Sequence, residues 1–155
     1  MRRERILEQL IPIAREAGAA ILDVYAAEFS ACAKRDASPV TDADERAEEL
    51  ILKALATLTP GVPVVSEEAA SHGNLPDVGE QFWLVDPLDG TKEFISRSGE
   101  FTVNIALIED GKAILGIVLA PALDRLFAGA VNLGAFVTHG PQRQPIAVGR
   151  YHPKG

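Results

Sequence analysis

A switch of hydrophobic period near residue 60 constrains this chain more than any other feature. Upstream, Leu7, Leu10, Ile11, Ala14, Gly18, Ile21, Leu22 and Tyr25 recur at three-four spacing, one face of a helix. Pro12 inside that pattern predicts a kink or the helix's true start. Ala47, Leu50, Ile51, Ala54, Leu55 and Leu58 repeat the pattern in a second helix. Thr41 is placed to cap it, with Asp42 and Asp44 beside its positive end, and Thr59-Pro60-Gly61 closes it. Downstream, 62–66, 82–85, 101–108, 114–119, 126–131 and 135–138 read as short strands. Asp110-Gly111 is a strong hairpin signal, and Asn132-Leu133-Gly134 suggests another. Residues 34–39 and 69–80 read as loops, and the Pro-, Gly- and Arg-containing tail 140–155 as weakly structured. Helices first and strands after predict an α+β domain, two N-terminal helices packed on a largely antiparallel sheet.

With 155 residues, 47% of them apolar, the chain suits one domain and can fill its core. A formal charge of −7 argues against a nucleic acid polymer held on a basic surface. It leaves room for a phosphate if cations first neutralise the carboxylates. The single cysteine, Cys32, excludes an intrachain disulfide and reads as a small packed residue. His72, His139 and His152 lack a paired spacing, which counts against zinc. Met1-Arg2-Arg3 opens like a signal peptide, but Glu4, Arg5, Glu8, Arg15 and Glu16 interrupt any apolar region behind it. No apolar stretch has the length of a transmembrane segment, so the expected location is cytoplasmic.

The chemistry points to Trp83-Leu84-Val85-Asp86-Pro87-Leu88-Asp89-Gly90-Thr91. A buried-type strand delivers two carboxylates to a turn whose geometry Pro87 and Gly90 set. Asp86 and Asp89 can converge there, with the Leu88 carbonyl beside them, and oxygen ligands of this kind suit Mg2+. Without a cation the carboxylates repel each other. Taken alone, Asp-Pro and Asp-Gly are also common turn formers. Glu67-Glu68 has an ordinary reading as solvated surface, and Asp44 as a first-turn helix residue. Trp83 and Phe82 read as core rather than as base-stacking platforms. Lys92 and Arg97 are within reach of a phosphate in principle, but read as solvated surface.

Taken in order, Ser38-Pro39-Val40-Thr41-Asp42-Ala43-Asp44, Ser66-Glu67-Glu68 and Asp86-Pro87-Leu88-Asp89-Gly90-Thr91 resemble the inositol-monophosphatase superfamily from the first helix to about Pro145. The continuation Lys92-Glu93-Phe94-Ile95 and Gly99-Glu100-Phe101-Thr102-Val103-Asn104 is similar to its bacterial 3′(2′),5′-bisphosphate nucleotidase branch. The resemblance implies the N-terminal half of the inositol-monophosphatase fold and a lithium-sensitive, magnesium-dependent phosphatase. The implied substrate is 3′-phosphoadenosine 5′-phosphate, a by-product of sulfate metabolism, cleaved at its 3′-phosphate by a metal-activated water. Glu67, Asp86, the Leu88 carbonyl and Asp89 are the implied Mg2+ ligands, Glu68 being the weaker candidate of its pair. Asp44 and Thr91 are implied to orient and deprotonate the attacking water, and the amides of Gly90 and Thr91 to hold the phosphate.

The family carries a second domain, with a Trp-Asp motif that completes the metal site, and nothing in 1–155 matches it. Residues 1–155 are therefore expected to be an N-terminal metal-binding phosphatase domain, weak or inactive alone, with an uncovered sheet that favours a homo-oligomer. The alternatives are an inositol-monophosphatase-like sugar phosphatase or a non-enzymatic metal-binding, dimerising remnant. A haloacid-dehalogenase-type phosphatase fits less well. Its two aspartates lie two apart, whereas Asp86 and Asp89 lie three apart with Pro87 between them.

Overall fold

Two apolar helix faces need a common surface to bury against, and the alternating strands behind them supply it. The architecture comes from a computed structural model that describes residues 2–30, 39–67 and 80–149. Helix α1 spans Arg3–Ser30 and α2 spans Pro39–Leu58. The strands are β1 (Val64–Ser66), β2 (Gln81–Asp89), β3 (Thr102–Glu109), β4 (Lys112–Ala120), β5 (Arg125–Ala130), β6 (Gly134–His139) and β7 (Gln142–Ile146). A short helix α3 (Thr91–Ser96) follows β2, and a 3-10 turn (Pro121–Leu123) follows β4. Cys32, Ser38, Glu68, His72, His152 and the ranges 34–38, 69–79 and 150–155 lie outside the described residues.

Among the described residues the strands form one sheet in the order β1 to β7. β1 runs parallel to β2, and every later pair is antiparallel. This is the α+β architecture that the switch of period predicts. α1 lies over β3, β4 and β5, and α2 over β2. Leu10, Ala14, Ala17 and Ile21 of α1 and Ala43, Ala47, Ile51 and Leu55 of α2 are fully buried against Trp83, Val85 and Val103. Burying each large side chain of that set contributes about 1.5–3 kcal/mol. Gly18 permits the close approach of α1, since a Cβ there would lie 2.8 Å from the Leu119 side chain. Trp83 is core, as expected, and its indole nitrogen donates to Thr59 Oγ1 at 2.8 Å.

Several local expectations are corrected. α1 does not start at Pro12 but runs through it from Arg3; Pro12 faces solvent, where water can satisfy the carbonyl it leaves unpaired. α2 begins at Pro39, so Thr41 sits within its first turn rather than capping it; proline's fixed φ suits a first helical position. Leu50 is 37% exposed and lines an outer groove with Ile13 and Leu58 instead of joining the core. Part of the supposedly weak tail is β7, an exposed edge strand paired to β6 that carries Pro145, a place where proline is tolerated. Arg143 of β7 grips Glu8 of α1 through two bonds of 2.7 and 3.3 Å. Asp110-Gly111 does form the hairpin, with both residues at positive φ (50° and 76°).

Candidate functional site

The parallel pairing of β1 with β2 decides where the acidic residues meet. Val64, Val65 and Ser66 lie beside Trp83, Leu84 and Val85, so both strands run toward the same end of the sheet. Glu67 leaves β1 next to Asp86 of β2, while the first turns of α2 approach from the helical side. A cleft of about 200 Å³ opens there, and its walls include Thr41, Asp44, Glu67, Asp86, Leu88 and Thr91. Four elements or their ends thus bring together five of the residues singled out in the sequence. Asp89 and Gly90 do not line this cleft, and Glu68 lies outside the described residues.

The Asp-Pro-Leu-Asp segment is not the turn that the sequence suggests. β2 continues through it to Asp89, with a bulge: Asp86 pairs with Asn104 and Asp89 with Thr102. Three steps on β2 therefore match two on β3, one residue in excess. Regular alternation would put residues three apart on opposite faces of the sheet. The bulge absorbs that mismatch by burying Pro87 and Leu88 consecutively, which leaves Asp86 and Asp89 on the outer face together. A bulge is also one of the few sheet positions that tolerate proline.

The electrostatics record this crowding. Burial, then the charges of Asp89 and Glu67, push the Asp86 carboxyl up from its ordinary 3.8 to about 6, against the downward pull of a backbone hydrogen bond from Leu88. Yet among the described residues no group of three or more His, Cys, Asp or Glu side chains is disposed to hold one metal ion. The carboxylates feel one another without closing into a coordination shell.

Gly90 turns the chain out of β2 into α3 with φ 92° and ψ 53°. A Cβ there would come within 3.3 Å of the Phe101 Cα, so both conformation and space require glycine. Thr91 opens α3, which sequence reasoning missed because six residues carry too little periodicity. An aromatic cluster holds this helix in place: the Tyr25, Phe94 and Phe101 rings lie 5.2–5.3 Å apart. Arg97 is not simply solvated surface, for its guanidinium lies 3.9 Å above the Tyr25 ring and donates to the Tyr25 carbonyl at 3.0 Å. Lys92 is exposed, as expected. Sequence reasoning gave no role to Asn104, whose Nδ2 donates to Asp89 Oδ2 at 3.2 Å. Its place between core residues Val103 and Ile105 already marked it as facing outward.

Fold and site together define an α+β protein, two long helices over one largely antiparallel sheet, with carboxylates brought together at the ends of β1 and β2. The chain belongs to the inositol monophosphatase family, whose family model matches residues 2–154. It is 53% identical over 127 residues to the 3′(2′),5′-bisphosphate nucleotidase CysQ of Salmonella typhimurium, covering 81% of this chain and 52% of that protein. The corresponding figure for CysQ of Escherichia coli K12 is 50% over 127 residues. Among solved structures, CysQ from Bacteroides thetaiotaomicron superposes with a TM-score of 0.69 at 35% identity, over 96% of this chain and 52% of that one. Mycobacterium tuberculosis SuhB superposes with a TM-score of 0.74 at 29% identity, over 92% and 51%. The chain spans about half the length of the relatives it matches.

Proposed function

We propose that this chain is the metal-carrying half of a magnesium-dependent phosphomonoester hydrolase that removes the 3′-phosphate of 3′-phosphoadenosine 5′-phosphate. The observation that carries the reading is the cleft in which Asp44, Glu67, Asp86, Leu88 and Thr91 meet from separate elements. The nucleotide substrate rests on the 50–53% identity to bisphosphate nucleotidases of enteric bacteria.

The donor chemistry fits a hard divalent cation: carboxylates of Glu67, Asp86 and Asp89 with a carbonyl at Leu88. The raised pKa of Asp86, due first to burial and then to the charges of Asp89 and Glu67, supports the same fit, because a cation offsets the cost of holding the carboxylate ionised there. When bound, Mg2+ supplies a Lewis acid for the phosphoryl oxygens and lowers the pKa of water. The remaining work falls to the chain. Asp44 takes a proton from the attacking water, and the Thr91 hydroxyl orients it. The amides at Gly90 and Thr91 donate to the phosphate, since the first amides of a helix have no acceptor within it. The 155 residues alone turn over weakly or not at all, because substrate positioning and exclusion of water need further walls around an open cleft.

The test is phosphate release from 3′-phosphoadenosine 5′-phosphate by the chain, with Mg2+, without it, and with added lithium. Magnesium-dependent, lithium-sensitive release that Asp86→Asn abolishes supports the reading. Measurable release that is equal without Mg2+, or from the variant, sinks it. Where nothing is released, calorimetry decides: a folded chain that binds no Mg2+, or an Asp86→Asn variant that binds it equally well, sinks it too. A specific observation favours a second reading, a self-associating metal-binding protein. The outer sheet face carries an apolar trough of about 400 Å³ lined by Leu84, Ala106 and Val118 among others, with Leu84 and Val118 each 40% exposed. Dimers in sedimentation together with Mg2+ binding but no phosphate release decide for it.

No helix among the described residues is long and apolar enough to cross a membrane. We place the activity in the cytoplasm, and fractionation of cells expressing the chain tests that location.

A further inference from the structure

Strand β3 sorts its side chains strictly. Val103, Ile105 and Leu107 enter the core, while Thr102, Asn104 and Ala106 occupy the outer face. Asn104 stands opposite Asp86 in the strand register, yet its amide donates to Asp89, whose own register partner is Thr102. The bond therefore runs along the diagonal of the ladder, across the bulge. It ties the far side of the extra residue to the near side, at the place where the backbone ladder is interrupted.

We infer that Asn104 is a positioning residue for the proposed metal site: its bond across the bulge holds the Asp89 carboxylate on the Asp86 face, so that both are presented to one divalent cation. The inference rests on the metal reading above. Residue type supports it. A lysine or arginine at 104 would bring a positive charge against Asp89 and compete with a metal ion. An aspartate would supply no donor when ionised and would bring a further negative charge against Asp89. A neutral amide orients a carboxylate while leaving its charge for the cation. Carboxylates that bind metals are commonly held this way by outer hydrogen-bond partners, and losing such a partner typically weakens metal affinity about 10- to 100-fold.

The Asn104–Asp89 bond is exposed, so its contribution to folding is small and its effect on metal binding can be measured separately. Mn2+ serves as the probe, titrated into the 155-residue chain and followed by electron paramagnetic resonance, beside the melting temperature of the metal-free protein. Asn104→Leu, similar in shape but without a donor, is expected to weaken Mn2+ binding by about 10-fold or more with an unchanged melting temperature. Asn104→Gln, which keeps the amide on a longer arm, recovers part of the loss. In an Asp89→Ala background, Asn104→Leu adds nothing further.

Wild-type affinity in Asn104→Leu overturns the inference and leaves the metal reading standing. A lower melting temperature in Asn104→Leu that Asn104→Gln does not restore also overturns it, since Asn104 is then a packing element of the sheet. A folded wild-type chain that takes up no Mn2+ sinks the metal reading, and this inference with it.

Discussion

The two faces of the sheet are made from the same strands and do opposite work. On the helical side, Trp83, Val85, Val103 and Ile105 are at most 1% exposed. On the other side, the intervening Leu84 and Val118 are each 40% exposed, and Asp86, Asn104 and Asp89 stand among them. The apolar core lies on one face and the carboxylates on the other, one residue apart along each strand. A site can therefore carry mutually repelling carboxylates because the opposite face of the same strands holds the fold together.

The sharpest way to break this contrast is to truncate one residue on each face. Trp83→Ala is expected to lose about 3–5 kcal/mol in urea unfolding, through a large cavity and the lost bond to the Thr59 hydroxyl. Its neighbour Leu84→Ala is expected to lose no more than about 1 kcal/mol. Similar losses at both positions would show that the outer face is covered in solution.

Next in size is the joint between the two faces. Gly90→Ala forces a side chain into a left-handed turn against Phe101 and is expected to cost about 1–2 kcal/mol. The same variant should weaken Mg2+ binding in calorimetry, because Gly90 joins Asp89 to α3.

Asp86 reports the outer face's own strain. Burial, and then the charges of Asp89 and Glu67, push its carboxyl up from an ordinary 3.8 to about 6. The folded state thus holds a proton that the unfolded state releases, so this group's contribution is complete below about 3.8 and is lost as pH rises through about 6. Without divalent cations, Asp86→Asn should raise the melting temperature at pH 7.5 by about 2 °C, after allowance for the group's partial exposure. The gain should shrink toward pH 5, and Mg2+ should cancel it by stabilising the wild type. A gain that does not vary with pH would mean that Asp86 is not strained.

The smallest effect belongs to the edge. Arg143→Ala removes two exposed bonds to Glu8 and should cost about 0–1 kcal/mol, less at high salt. A larger loss would show that β7 is part of the cooperative core.

Much of the architecture was legible because periodicity reports burial. Leu10, Ala14 and Ile21 could face only one way along a helix, and Asp110-Gly111 could turn only as a hairpin. The missed elements lack that signal. α3 is too short to show a period, and every residue of β7 is exposed, so pairing, the Arg143–Glu8 bonds and the stacking of Arg143 on Phe136 define it. Of the site, Asp44, Glu67, Asp86, Leu88 and Thr91 were singled out from the sequence, but their roles came from resemblance and their meeting place from the fold. Asn104 was visible in a motif, while its partner was not, because hydrogen bonds between strands depend on register.

The sequence by itself determined the two long helices, the run of alternating strands behind them, and which side of those strands is apolar, since these follow from the local geometry of a backbone and the hydrophobic effect. Only the tertiary structure decided that β1 lies parallel to β2, which carries Glu67 to Asp86. It also decided that a one-residue bulge turns Asp86 and Asp89 onto the same face. Both depend on strand pairing and register, which join residues far apart in the chain and leave no period of their own in the sequence.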